Sequence, residues 1–321
     1  MKTISGKEQV KLAAERVLKW PVKTIAKDLK YARDLSFHWF SLVGAGDEPL
    51  IRLSEKGLPA SHVRPVCFFC SYDKDNIVRE NVFYFLDQLM AAGFDIVFIS
   101  SSSAISDSDL KKLSVRCVRI INRENRGYDF YGWKTGLVEY AEYDAHPGLL
   151  LANDSVLGPL FDASNLIARL EGCDADIVGM TDSFHIHPHL QSYFLYCKKN
   201  VVSSGEFRAF FREVTVLEPK TAVIRKYEVG FSRVLGRRFR LAALYDLEAI
   251  LARIGYHQRP IKWVEPTFHL WRQLVTEFKF PFLKKSVLTR RGVSREEFSS
   301  ALADSGSCYS PATLDDWLLQ D

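Results

Sequence analysis

At 321 residues, with 47% hydrophobic and 26% charged side chains, the chain has the size and composition of a globular protein of one large domain or two modest ones. Its longest apolar runs, VCFFC and DIVFI, fall far short of the roughly 20 residues that a membrane-spanning helix needs, and the charged amino-terminal stretch lacks the apolar core of a secretory signal, which points to a cytoplasmic location. A net charge of only +4 argues against general nucleic-acid binding.

Residues 1–36 carry nine Lys or Arg against four acids, a local +5 that leaves the remainder near −1. Ser5 with Glu8 is a capping-box pattern, Val10, Ala14, Val17 and Leu18 follow at helical spacing, and Pro21 starts a second helix. This basic amphipathic arm could lie on the anionic inner membrane surface, or pack against its own domain or a second copy; the sequence leaves both open. Gly and Pro punctuate residues 37–62, read as a connector.

From Val63 an alternation begins: a strand over Val63 to Tyr72, a helix over Asn76 to Ala92, a strand over Asp95 to Ser100, a short helix near Asp107 to Leu113, and a strand over Val115 to Ile121. Strands and helices in turn with short loops predict a parallel sheet. Cys67 and Cys70 form a C-x-x-C inside a strand, where they face opposite ways, so the six cysteines read as reduced thiols. Neither GxGxxG nor GxxxxGK[ST] occurs. A polar loop at Asn125, Arg126 and Gly127 runs into a helix at about Tyr128, with Asp129 and Lys134 in its first two turns. That is either an anion site made of helix N–H groups with added Arg and Lys, or a capped surface helix.

The next strand, LLLA (Leu149 to Ala152), breaks off at Asn153, Asp154 and Ser155. Ligands of open parallel sheets bind outside the carboxyl ends of strands, so Asp154 is a functional candidate; a plain strand-ending turn is the alternative. A helix over Ala163 to Leu170 and a strand over Ala175 to Met180 follow, ending at Thr181, Asp182 and Ser183. His185, His187 and His189 alternate and invite a metal reading, but Pro188 breaks the register, and a polar substrate-facing edge of His189, Gln191 and Tyr193 is preferred. A helix from about Tyr227 to Leu235 carries Glu228 in its first turn, and a strand over Phe239 to Leu244 follows. Pro266 to Leu288 reads as a helix with Trp271 inward and His269, Arg272 and Gln273 on the other face, beside a basic patch of Lys284, Lys285, Arg290 and Arg291. The tail from Ser294 holds two short helices.

The segments NRGYDFYGWKTGL, LLLANDSVLGPL, DIVGMTDS with HLQSYFLYC, IRKYEVGFSRVL, and EPTFHLW with FPFLKKSVL resemble, in that order, the rhamnan synthesis protein F family of polysaccharide-assembling glycosyltransferases. The resemblance implies an α/β, GT-A-like fold, a mostly parallel sheet flanked by helices, over residues 63–292; the helical arm and connector over 1–62 and the helical tail over 293–321 lie outside it. It implies transfer of a hexosyl group, rhamnose or another deoxysugar, from a nucleotide-sugar to a glycan or lipid-linked glycan acceptor in cell-surface polysaccharide synthesis, with inversion.

In that fold the D-x-D acids after the fourth strand hold a divalent cation, Mg²⁺ or Mn²⁺, on the donor diphosphate. Asp154 matches the motif, with Asn153 and Ser155 where the pattern has acids, and His269 is a further candidate ligand; Lys and Arg alone are the alternative source of charge. Glu228 falls where the family places its base, with Asp182 in reserve. Donor contacts fall to Tyr72, Asp73, Ser100, Asn125, Arg126, Asp129, Lys134, Asn153 and Asp154, and acceptor contacts to His189, Gln191, Tyr193 and the ring of Trp133 or Trp271. A non-catalytic nucleotide-sugar or glycan-binding subunit of an assembly complex is the competing reading.

Overall fold

A computed structural model describes residues 50–310 apart from 218, 257–260, 262 and 308. The basic arm, the connector up to residue 49, and the end of the tail lie outside the described residues.

Eleven strands are described: β1 Ile51–Lys56, β2 Val66–Ser71, β3 Asp95–Ser100, β4 Arg119–Arg123, β5 Gly148–Asn153, β6 Val156–Leu157, β7 Ile177–Ser183, β8 His189–Leu190, β9 Phe194–Lys198, β10 Leu241–Tyr245 and β11 Leu283–Lys284. The longer helices are α1 Glu80–Ala91, α2 Asp107–Ser114, α3 Tyr128–Glu139, α4 Leu166–Gly172, α5 Gly205–Arg212, α6 Val229–Leu235, α7 Leu247–Arg253, α8 Trp271–Phe278 and α9 Arg295–Ser305.

Nine strands form one sheet in the order β1-β4-β3-β2-β5-β9-β7-β10, with β8 paired to β7. β2, β3, β4 and β5 are mutually parallel neighbours, β7 and β10 are parallel, and β1, β8 and β9 run against their neighbours. The α/β class with a mostly parallel, helix-flanked sheet is therefore as expected. Both faces are covered, which is why the strands read as unbroken apolar runs. Cys67, Phe69, Phe98, Ile120 and Leu150 pack on one face with α1 and α7, while Phe68, Val97, Ile99, Ile121 and Leu151 pack on the other with α3, α5 and α6. Cys67 and Cys70 indeed belong to opposite faces, and the five described cysteines are free thiols.

The segment NRGYDFYGWKTGL owes its glycines to contact. A Cβ on Gly132 would stand 2.7 Å from the Cys70 sulfur, and one on Gly136 2.7 Å from Ile99. One turn apart on α3, they let the helix lie directly on β2 and β3. This close seat fixes where the helix's amino end, with Asp129, meets the strand ends.

Four expectations are corrected. Ile51–Lys56, placed in the connector, is an edge strand antiparallel to β4; its IRLSEK sequence is half-exposed and lacks an apolar run to announce it. The helix expected from Tyr227 is preceded by a π-helical turn, Ile224–Glu228, that ends at Glu228. The long helix from Pro266 to Leu288 is Pro266–His269, α8, the two-residue β11 and Lys285–Thr289, because Lys279 turns left-handed after α8 and Pro281 follows. The tail is not apart from the domain as far as Ser305: Phe298, Ala301 and Leu302 of α9 pack with Trp271 and Val275.

At the amino end of the central strand β5, His146 is fully buried. Its Nδ1 lies 2.7 Å from the Arg64 carbonyl oxygen, which only accepts, so Nδ1 carries the proton and Nε2 accepts from the Tyr140 hydroxyl at 2.8 Å. Burial holds this imidazole below its ordinary 6.5, outweighing the Arg64 carbonyl and Asp95. The unfolded chain then binds the proton more readily than the native one, so this share of stability is present above about pH 6.5 and lost as pH falls through the lower native value. Urea midpoints measured at about pH 7.5 and 5.5 should fall on acidification in the natural chain, and His146→Gln should flatten that fall while lowering the midpoint at the higher pH.

Candidate functional site

The carboxyl ends of β2 and β5 lie side by side, with Cys70 opposite Asn153 in register. The turn that follows is tied internally. The Asn153 side-chain oxygen accepts from the Ser155 backbone N–H at 3.0 Å and from the Ser155 hydroxyl, and its amide donates to Asp129 Oδ2 at 3.0 Å. Asp154 is thereby turned toward β2. Its Oδ2 accepts from the Ser71 hydroxyl at 3.0 Å and the Tyr72 N–H at 3.3 Å, with Lys285 Nζ at 3.8 Å.

A cavity of about 220 Å³ opens there, lined by Ser71, Tyr72, Asp73, Arg79, Asp154 and Lys285 among others. Asp73 is fully engaged: Arg79 grips both its oxygens, and Oδ1 also accepts from the N–H groups of Asp75 and Ile77. Burial pushes its pKa up, but the Arg79 hydrogen bond and the backbone donors prevail and hold it below 3.8. Ser100 is buried beneath this loop, where its hydroxyl accepts from Ser102 N–H while the Ser102 hydroxyl accepts from Asp73 N–H. Ser100 therefore supports the loop instead of reaching a ligand.

At the amino end of α3, Arg123 is buried and donates to the carbonyls of Glu124, Arg126 and Tyr128. One side chain thus shapes the whole Asn125–Arg126–Gly127 turn, whose Asn125 and Arg126 side chains are exposed. Asp129 follows. Burial raises its pKa to about 6, with Asp154 and Glu228 adding repulsion and Arg123 and Lys220 opposing it. Lys134 is corrected: its ammonium donates to the carbonyls of Arg212 and Val214, at 3.1 and 2.6 Å, and fastens α3 to the segment after α5.

A second polar group lies beside the end of β7. The Thr181 hydroxyl donates to the Gln191 side-chain oxygen at 2.6 Å and lies 2.7 Å from the Tyr193 hydroxyl. The Gln191 amide donates to Glu265 Oε1 at 2.8 Å, which also accepts from Thr267 and faces Lys284 Nζ at 3.4 Å. Burial pushes the Glu265 pKa up, but Lys284, Thr267, Gln191 and His269 outweigh it and keep it below 4.5. All its side-chain donors among the described residues meet one oxygen, Oε1, and 26% of the side chain is exposed. Glu228 joins the two groups: its Oε1 accepts from Ser192 N–H at 3.0 Å, between Gln191 and Tyr193. His189 is buried, its Nδ1 donating to the His187 carbonyl at 2.7 Å.

Two expectations fail on packing. Trp271 is 2% exposed and packs on Phe298, and Trp133 is fully buried with its N–H on the Ala152 carbonyl, so neither offers a face to a sugar. Asp182 Oδ1 accepts from the Leu247 N–H at 2.8 Å, at the start of α7, with Asp246 beside it. Burial lifts its pKa to about 6 against that hydrogen bond. One oxygen of the carboxylate thus receives the first N–H of a helix.

The cation that the resemblance implies does not fit the side chains present. Asp154 is the single acid of its turn and already faces an ammonium, the Nδ1 of His269 lies 2.9 Å from the Glu265 N–H, and among the described residues no three His, Cys, Asp or Glu gather as a metal-holding group.

The sequence missed Glu265, Arg123 and Ser71, and saw Lys285 only as part of a basic patch. Glu265 before Pro266 has the look of an ordinary acid at a helix start, and Arg123 sits at the end of a strand; neither carries a local signal.

The family model of rhamnan synthesis protein F matches residues 96–303. The chain belongs to that family. An uncharacterised protein of Sinorhizobium fredii, y4gN, is 34% identical over 180 residues, 54% of this chain and 46% of the relative, so the match spans less than half of that relative's length. Virulence protein VirA of Vibrio anguillarum is 27% identical over 298 residues, 81% of this chain and 88% of its own. Among solved structures, a mannosyltransferase of Pyrobaculum calidifontis in complex with GDP-Man and Mn²⁺ aligns over 92% of this chain and 86% of its own, at 12% identity and a TM-score of 0.37, too loose a likeness to carry an argument.

Asp129, raised to about 6, binds a proton in the native state more readily than in the unfolded one, so its contribution is full below pH 3.8 and is lost as pH rises through 6. At pH 7 it is a charge held at a cost. Asp129→Asn keeps an acceptor for the Asn153 amide and should stabilise the chain by roughly 1–3 kcal/mol in urea unfolding at pH 7, with a much smaller gain near pH 4.

Proposed function

We propose that this chain is a glycosyltransferase of GT-A type that moves a hexosyl group, rhamnose or another deoxysugar, from a nucleotide-sugar to a glycan or lipid-linked glycan in cell-surface polysaccharide synthesis. What supports this most is the placement of Asp154, Asp129, Glu228 and Glu265 along the carboxyl edge of a mostly parallel sheet, with Asp154 lining a polar cavity, in a chain of the rhamnan synthesis protein F family.

In this reading the donor lies over the ends of β2 and β5. Tyr72 is half-exposed at the rim of the cavity, the Asp73–Arg79 pair stiffens the loop there, and Asn153, tied to Asp129, holds the turn that sets Asp154 against the cavity. The acceptor enters from the β7 side, where Gln191, Tyr193, His189 and Glu265 form a hydrogen-bonded wall. An acceptor hydroxyl oxygen attacks the anomeric carbon as the bond to the nucleoside diphosphate breaks, and Glu228 takes the hydroxyl proton. A single displacement of this kind inverts the anomeric centre. Glu228 suits the task because one oxygen is fixed by Ser192 N–H, which leaves the other for the proton. Glu265, held well ionised, is a poor base and a good acceptor of hydrogen bonds from a sugar hydroxyl.

The test is a screen of nucleotide-sugars with oligosaccharide and lipid-linked acceptors, reading release of nucleoside diphosphate. Glu228→Gln should lower kcat by about 10² to 10⁴ while donor affinity stays within about twofold. Glu265→Gln should instead raise the acceptor KM roughly tenfold, the loss of one charged hydrogen bond, with a smaller change in kcat. Donor binding without release from any acceptor would make the chain a binding subunit of an assembly complex.

A further inference from the structure

Resting on the glycosyltransferase reading, we infer that Lys285 supplies the positive charge on the donor's diphosphate, that donor binding needs no divalent cation, and that Asp154 is a positioning residue for Lys285.

A departing nucleoside diphosphate carries at least two negative charges, and a site must meet them with a metal or with fixed N–H and ammonium donors. A hard divalent cation needs several oxygens converging on one point. Here the oxygens flanking Asp154 are already used: the Asn153 side-chain oxygen accepts twice from Ser155, and its amide is tied to Asp129. Turning either flanking side chain outward would undo the turn. Asp154 is left alone, with Oδ2 held by two neutral donors and its charge already opposed by Lys285.

Lys285 is placed there by backbone. β6 and β11 pair antiparallel, with Lys284 opposite Val156, and the Lys285 N–H donates to the Ser155 carbonyl at 3.0 Å. This ribbon carries residues from the far end of the chain onto the Asp154 turn. The Lys285 side chain is only 17% exposed, so its ammonium is confined to the cavity mouth. The cavity lining holds three cations, Lys74, Arg79 and Lys285, against two carboxylates, Asp73 and Asp154. Arg79 is tied to Asp73 and Asp75, and the lining places Lys285 and Lys74 beside the space an incoming anion would enter. A lysine suits the position, being a compact charge with three donors on a flexible stem that can pass from Asp154 to a phosphate oxygen without a change of fold.

The test is nucleotide binding by the full chain, followed by calorimetry with UDP, GDP and dTDP, and with the corresponding nucleosides as phosphate-free controls, in EDTA and in Mn²⁺. The expected result is one nucleoside diphosphate bound with a Kd that agrees within about twofold between the two buffers. Lys285→Met should weaken it roughly tenfold or more in both, Lys285→Arg should recover most of the loss, and nucleoside binding should be the same in all three, which also shows that the variants fold. Asp154→Asn should weaken diphosphate binding in the natural background and change it little in Lys285→Met, because a residue that acts through Lys285 has nothing left to position. Binding that appears only with Mn²⁺, or that is unchanged by Lys285→Met, overturns the inference and leaves the glycosyltransferase reading standing. Failure to bind any of the three nucleoside diphosphates in either buffer overturns both.

Discussion

The side-chain amide of Asn153 is the joint on which the site depends. Buried at the end of β5, it reaches the first turn of α3 through Asp129 and the next residue but one through Ser155, so strand, helix and turn share one hydrogen-bonded node. An aspartate there could not donate to Asp129 and would bring a further charge against one that is already raised to about 6. The asparagine is what allows Asp129 and Asp154 to stand together. It also determines that Asp154, and not its neighbours, faces the cavity.

Around that node the electrostatics are those of acids gathered at a cost. Asp129 feels Asp154 and Glu228 as repulsion, and Arg123 and Lys220 only partly relieve it. A chain selected for stability alone has no reason to hold that arrangement. Arg123 is itself kept from water, and burial lowers its pKa; its two terminal nitrogens donate to three carbonyls of the turn it shapes, while its buried Nε has no hydrogen-bond partner among the described residues. Glu265 differs, since Lys284, Thr267 and Gln191 stabilise its charge. Asp129 and Glu265 are thus tuned oppositely, the first toward its protonated form and the second toward a fixed negative charge.

The carboxyl-terminal third completes what the sheet begins. The β6–β11 ribbon brings Lys284 to Glu265 and Lys285 to Asp154, and the cluster of Trp271, Val275, Phe298 and Leu302 anchors the segments on either side of that ribbon. Trp271 therefore serves the site through packing, not through contact with a sugar.

By itself the sequence determined the α/β class, the strand that ends at Asn153, the helix that starts at Tyr128 and the orientation of Cys67 and Cys70, because each follows from local periodicity or from an apolar run broken by turn residues. It also marked Asp154, Glu228, Gln191 and Tyr193, whose segments lie near one another in the fold. Only the tertiary structure decided that Lys134 spends its charge on backbone carbonyls, that Trp133 and Trp271 are core, that Asp182 begins a helix, and that Glu265 and Lys285 join the site. The reason is physical: periodicity tells which face of an element is apolar, but which distant side chain meets a given carboxylate is decided by strand pairing and packing between segments far apart in sequence, and a two-residue strand such as β11 has no pattern of its own to betray it.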